Sequence, residues 1–189
     1  MANEKEKFKV TELARQAVFE SRTVLFFSDM NPELSKSLSE QLLALAHLSD
    51  DPIKLIINSP GGHVESGDTI FDLIRFIRPK VYVIGSGYVA SIATHIFLSV
   101  DKEQRFCLPN TRFLIHQPSG GMQGQVSDMH IQAEEIIRTK RRINTIIAEQ
   151  TGQPYEKVVK DTERDFWMSP DEAIEYGLLG RVINHIDEI

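Results

Sequence analysis

Short apolar runs alternate with longer apolar stripes along the first hundred residues, and each change of period marks a change of element. Val24 to Phe27 is an unbroken apolar run that stops at Ser28-Asp29. Asn31-Pro32 then opens a helical pattern with Leu34, Leu38, Leu42 and Leu45 on one stripe, closed by Asp50-Asp51-Pro52. Ile53 to Asn58 is the next β-branched run, ending in the turn cluster Ser59-Pro60-Gly61-Gly62. From about Ser66 to Ile77, apolar residues recur at Ile70, Ile74 and Ile77, and Pro79 stops that helix before a third strand over Val81 to Ile84. The order is βαβαβ. Because the strands are continuous apolar runs and not alternations, helices are expected on both faces, as in parallel α/β sheets.

Gly85-Ser86-Gly87 is expected to end the third strand, and Ala90 to Val100 reads as a helix buried on most sides. Arg105 to Leu108 and Arg112 to Gln117 flank the Pro109-Asn110 turn as two further strands. The longest helical pattern starts near a possible N-cap at Ser127, carries Met129, Ala133, Ile136, Ile143 and Ile147, and ends at Gly152. At about 36 Å it overhangs a domain of this size. Its stripe is therefore either core within one subunit or a surface for another. Pro154 and Ser169-Pro170 open two short helices, the second with Asp171 and Glu172 in its first turn and Gly177 at its close. No repeat, low-complexity tract or linker divides the chain, so residues 1–189 read as one domain.

Composition narrows the partners more than the fold. Lys plus Arg is 21 against 27 Asp plus Glu, a net charge of −6, which disfavours nucleic acid. The one cysteine, Cys107, reads as a small buried apolar residue and demands no oxidising compartment. Met1 to Val10 lacks the apolar segment of a signal peptide, and no stretch is apolar enough to span a bilayer. A soluble cytoplasmic protein is the expectation.

Six histidines, at positions 47, 63, 95, 116, 130 and 185, form no compact metal-ligand spacing. Pro60-Gly61-Gly62 is followed by no phosphate-binding lysine, and Gly85-x-Gly87 lacks the third glycine of a dinucleotide fingerprint. Ser91 falls at the first turn of the buried helix, where the dipole favours an oxyanion. Taken alone, a serine there is a cap far more often than a nucleophile, and Gly87-Tyr88-Val89-Ala90-Ser91 is not the elbow of an α/β-hydrolase. His95 shares a helical face with Ser91, and His116 follows an apolar strand; either could serve Ser91 or simply pack.

Asn58-Ser59-Pro60-Gly61-Gly62, Ala90-Ser91, Arg105 to Asn110, Ile115-His116-Gln117-Pro118, Gly124-Gln125 and Asp161-Thr162-Glu163-Arg164-Asp165 occur in order from about Val24 to the C-terminus. Together they resemble the proteolytic subunits of the ATP-dependent Clp protease, the ClpP family. That resemblance implies an α/β fold of the ClpP/crotonase type, a parallel-rich sheet with flanking helices and a protruding handle helix. It implies Ser91 as nucleophile, His116 as general base and Asp165 as its orienting carboxylate, with backbone N–H groups of Gly62 and Ile92 as the oxyanion hole. Peptide would pair with the segments at His63-Val64 and Pro118-Ser119-Gly120. Residues 123–150 would be the handle joining two heptameric rings, with Gln125, Glu163 and Arg164 in contacts between rings, and residues 1–22 an axial segment. No metal or organic cofactor is implied in this chain; ATP would be used by a partner AAA+ unfoldase that feeds unfolded protein to the chamber. The chain departs from the family pattern at Ile92-Ala93, where Met-Gly is usual, at Tyr88-Val89, and in its N-terminal segment. A crotonase-like acyl-CoA enzyme and an inert ring subunit are the alternatives.

Overall fold

The computed structural model describes residues 2–119 and 123–189, with side chains from residue 10 onward. Seven α-helices and seven strands occur among them. Helix α1 (Ala2–Glu20) leads through a turn at Arg22 into β1 (Thr23–Phe26), and α2 (Pro32–Leu48) follows with Asn31 as its N-cap. Strand β2 (Ile53–Ser59), α3 (Val64–Phe76) and β3 (Val81–Ala90) complete the expected βαβαβ unit. Then come α4 (Ile92–Phe97), β4 (Arg105–Cys107), β5 (Arg112–Ile115), the long α5 (Val126–Thr151), α6 (Tyr155–Asp161), β6 (Phe166–Met168), α7 (Pro170–Tyr176) and β7 (Arg181–Val182).

The main sheet runs β1-β2-β3-β4-β7, every pair parallel. Its core is the one the strand runs announced: Val24, Phe26, Leu55, Ile57 and Val83 from the strands, with Leu38, Leu42 and Leu45 from α2, are all at most 1% exposed. Arg105, 1% exposed, is the largest fully buried side chain; its guanidinium donates to Val100 O, Gln150 O and Gln150 Oε1, tying the end of α5 to β4.

Three expectations are corrected. The glycines after Ile84 bend β3 and do not end it: pairing with β2 jumps from Ile57↔Gly85 to Ser59↔Val89, and Gly87 has φ +70°. Before the bend β3 pairs with β4; beyond it, Tyr88, Val89 and Ala90 pair with β5. The following helix is only Ile92–Phe97, and α5 starts at Val126 with Gln125 as N-cap, so Ser127 is not its cap. Helix α1 and strands β6 and β7 are additions to the sequence reading.

Of the 26 residues of α5, only Ile143, Asn144 and Ile147 are buried, so its first half projects from the body with Val126, Ile131 and Ile137 more than half exposed. The solvent-accessible surface is 11231 Å², against roughly 9,000 Å² for a compact monomer of this mass. No helix of the described residues is long and apolar enough to cross a membrane.

Candidate active site

Strand register brings three distant residues to one edge. Ala90 pairs with Leu114 in parallel, which sets Ser91, just past the end of β3, beside the end of β5. Strand β6 returns antiparallel with Phe166 opposite Ile115, so Asp165, the residue before β6, meets His116, the residue after β5. The separations of 25 and 49 residues are closed without any local signal. His116 Nε2 lies 2.8 Å from Ser91 Oγ, and His116 Nδ1 lies 3.0 Å from Asp165 Oδ1. His116 is partly covered, its side chain 28% exposed, whereas that of Asp165 is 66% exposed.

Ser91 is held in an unusual backbone conformation, φ 58°, ψ −126°, one of two non-glycine residues with positive φ among those described. Such strain persists only where the surroundings over-determine it. Here Ser91 N–H donates to Leu114 O at 3.0 Å, and Thr94 Oγ1 donates to Val89 O and Leu114 O at 2.9 and 2.8 Å. The serine therefore caps α4 only by position; its hydroxyl makes no capping bond and faces the imidazole.

The turn after β2 presses against this serine. A Cβ on Gly61 would stand 2.6 Å from Ser91 Cβ and 2.8 Å from Ala90 O; one on Gly62 would stand 2.3 Å from Met30 O. With φ of +101° and +134°, both positions belong to glycine. Ile92 N lies 3.1 Å from that imagined Gly61 Cβ, so the turn closes on the first residue of α4.

A family model described as Clp protease matches residues 5–186. The chain belongs to the Clp protease family. It is 53% identical over 172 residues to the ATP-dependent Clp protease proteolytic subunit 3 of Rhizobium meliloti, covering 91% of this chain and 88% of that protein. It is 54% identical over 162 residues to subunit 2 of Pseudomonas aeruginosa, covering 86% and 81%. The solved structure of ClpP1 from Listeria monocytogenes superposes with a TM-score of 0.84 at 50% identity, covering 93% of this chain and 98% of that one. The expected fold, with its parallel-rich sheet, flanking helices and projecting handle, is thus a Clp protease fold.

Two clefts lie in this part of the Clp protease chain, and Ser91 itself lines the second of them. One, of about 260 Å³, has Gly62, His63 and Val64 on one side and Pro118 and Ser119 on the other. His63 is extended, but Val64 already opens α3 with His63 as its cap, so the strand-like stretch on that side ends at residue 63. Gly120 lies outside the described residues. The other is a narrow slot of about 20 Å³, room for about one water molecule, beside Ser91 and His116 between Val64, Ile92, Ile115 and the α5 residues Ile143 and Ile147.

Gln125 is exposed at the head of α5, while Glu163 and Arg164 are exposed in the loop before β6. Gln117 joins that loop to α5: its N–H donates to Thr162 O, its Nε2 to Glu163 O, and Lys140 Nζ donates to its Oε1. Gln125 is 15 residues earlier on α5, about 22 Å along the axis, so one subunit does not bring the three residues together. Cys107 is fully buried, and burial pushes its thiol up to about 11. Among the described residues no cluster of three His, Cys, Asp or Glu is placed to hold a metal ion.

Sequence reasoning weighed His95 as a partner for Ser91; the structure turns its Nε2 instead to Asp68, 3.2 Å away. It missed Thr94, Gly67, Asp68 and Arg142. A glycine inside a helical pattern signals close approach, and a Cβ on Gly67 would stand 2.2 Å from Ile92 Cγ1. Nothing in the sequence announces the Asp68–Arg142 pair across 74 residues.

Proposed function

We propose that the chain is a serine endopeptidase subunit that hydrolyses unfolded polypeptides and short peptides inside a ring-shaped chamber. The observation that carries this is the unbroken hydrogen-bonded line Ser91 Oγ–His116–Asp165, at 2.8 and 3.0 Å, ending on a strained serine. Peptide would lie extended between the stretch that ends at His63 and Pro118-Ser119, pairing through its main chain and so tolerating many sequences. As Ser91 Oγ attacks the carbonyl carbon, its proton passes to His116 Nε2, while His116 Nδ1–H donates to Asp165, which stabilises the imidazolium. The oxyanion of the tetrahedral intermediate would accept from the N–H groups of Gly62 and Ile92, each worth about 3 to 4 kcal/mol of barrier. Collapse expels the amine, which takes the proton from His116; water then enters, His116 removes its proton, and the acyl-enzyme is hydrolysed. No metal or organic cofactor is needed for these steps.

The projecting half of α5 and the surface in excess of a compact monomer support an assembly of copies, read here as heptameric rings meeting through residues 123–150 with Gln125, Glu163 and Arg164 at the junction. Residues 1–22 would face the axis, where an AAA+ unfoldase docks and expends ATP. A cytoplasmic location fits this partnership. An acyl-CoA enzyme would leave the activated serine without a purpose. The test is native mass measurement of the full-length assembly together with turnover of an unstructured fluorogenic peptide. Multiples of seven chains and turnover abolished by Ser91→Ala are expected; a monomer, or turnover that survives this substitution, refutes the reading.

A further inference from the structure

Helix α4 carries Ser91 at its head, yet at six residues it is too short to hold its own direction. Its apolar side chains fill space without fixing an angle, and its two polar ones tie it down. Thr94 Oγ1 donates to Val89 O and Leu114 O, which binds the helix to β3 and β5. His95 lies one residue on, about 100° further round the helix. Its side chain is 2% exposed, and its Nε2 lies 3.2 Å from Asp68 Oδ1, on α3. The ring also stacks on Phe71 of α3, with centroids 4.4 Å apart and 21° between planes. Asp68 is itself held: Arg142, from α5, donates to both carboxylate oxygens at 2.7 and 2.6 Å. Burial opposes ionisation of Asp68, but the hydrogen bonds from His95 and Arg142 outweigh it and hold the carboxyl at about 2. An ionised carboxylate only accepts, so Nε2 carries a proton and donates it, which leaves Nδ1 with a lone pair. Nδ1 is buried and has no hydrogen-bond partner among the described residues. A bare acceptor costs stability that an apolar ring of similar shape would keep, so the use of this imidazole lies in its Nε2 bond. The residue before Asp68 bears on the other end of the same turn: a Cβ on Gly67 would stand 2.2 Å from Ile92 Cγ1. Turning α4 about its axis therefore either drives Ile92 into α3 or breaks the bond from His95.

We propose that His95 and Asp68 are positioning residues for Ser91: the bond between them, braced by Arg142, sets the rotation of α4 and so keeps Ser91 Oγ on His116 Nε2. The inference rests on the peptidase reading of Ser91. Both side chains act through the helix and not on the substrate. With Oγ roughly 4 Å from the helix axis, a turn of about 15° carries it about 1 Å. A misplacement of that size costs on the order of a hundredfold in rate, far more than it disturbs the fold.

The experiment uses the full-length assembly, an unstructured fluorogenic peptide and a fluorophosphonate, with wild-type protein, His95→Phe, His95→Gln and Arg142→Met. Phenylalanine keeps the stack on Phe71 and drops the Nε2 bond, while Arg142 still satisfies Asp68. His95→Phe is therefore expected to melt no lower than wild type, yet to lose kcat at least about tenfold, with KM within about twofold and the fluorophosphonate rate at Ser91 falling alongside. Glutamine gives up the stack but offers an N–H at the place of Nε2, so His95→Gln should melt lower and still recover kcat to within about threefold of wild type. A side chain that only holds the fold together would make kcat follow melting temperature across this pair. That result, or full kcat in His95→Phe, overturns the proposal. Arg142 is half-exposed and its replacement leaves the core intact, so Arg142→Met decides the matter even if no His95 variant assembles. Its kcat should fall at least about threefold and return in Arg142→Lys; an unchanged kcat in Arg142→Met overturns the proposal as well. If wild-type protein cleaves no peptide and Ser91 resists the fluorophosphonate, the peptidase reading fails and the inference with it; an active wild type with indifferent variants sinks the inference alone.

Discussion

Adding one methyl group to Gly67 tests how tightly the serine's helix is set. Gly67 is buried in α3, and its Cβ would lie 2.2 Å from Ile92 Cγ1, 3.0 Å from Cδ1 and 3.4 Å from Cβ. Carbon atoms prefer about 3.5 Å or more, so the nearest contact must open by roughly 1.3 Å. Ile92 is β-branched in the first turn of α4, with few χ1 choices, so part of the shift passes to its backbone, whose N–H is the proposed oxyanion donor. Overpacking costs about 1 to 3 kcal/mol, partly offset by about 1 kcal/mol from replacing a helical glycine with alanine. The fold should therefore survive with a modest loss. Catalysis should suffer more, since misplacement near 1 Å costs on the order of a hundredfold. In Ile92→Ala protein the crowding atoms are gone, and Gly67→Ala should then change kcat by less than about twofold. The assay is peptide turnover in the four proteins of this cycle, alongside melting temperature. Full activity of Gly67→Ala in the otherwise native chain, or an equal loss in both backgrounds, would refute the reasoning.

Asp165→Asn preserves shape but removes the charge that steadies the imidazolium; with the side chain so open to water, kcat should fall by about 10² to 10³, less than for an enclosed triad. Asp68 titrates near 2 in the fold against 3.8 as a free side chain. Its lowered value means stability that is present above about pH 4 and lost as pH falls toward 2, so Asp68→Asn should cost about 1 to 2 kcal/mol at pH 7 in urea unfolding, with the gap closing below pH 4. A gap that stays constant down to pH 3 contradicts this. Arg105→Leu strips the partners from Val100 O and Gln150, and a loss of about 3 kcal/mol or more is expected in the same assay. Cys107, buried with its thiol raised, should resist maleimide in the native protein and react after unfolding.

The strand-helix alternation up to Val81 was legible because each buried strand is a run of apolar residues and each helix shows one stripe, as Leu38, Leu42 and Leu45 do. What periodicity could not convey was closure. Gly85 and Gly87 look like the end of a strand, yet they let β3 bend from β4 to β5, and that bend delivers Ser91 to its partners. Asp165 owes its place to the antiparallel return of β6, three residues too short to register as a strand pattern. The triad was therefore readable only as ordered motifs, not as geometry. Helix α1 escaped notice because its described surface is largely exposed and carries no strong apolar stripe. His95 could be seen beside Ser91 on a helical face, but which way its ring points depends on Asp68 and Arg142, from two other helices.

The most direct test of the account is to treat the assembled protein with a fluorophosphonate and map the adduct by intact mass and peptide sequencing. One adduct per chain on Ser91 is expected, slowed severely by His116→Ala, because the hydroxyl reacts only when that imidazole takes its proton. An adduct on another residue, or labelling of Ser91 at the native rate without His116, would contradict it.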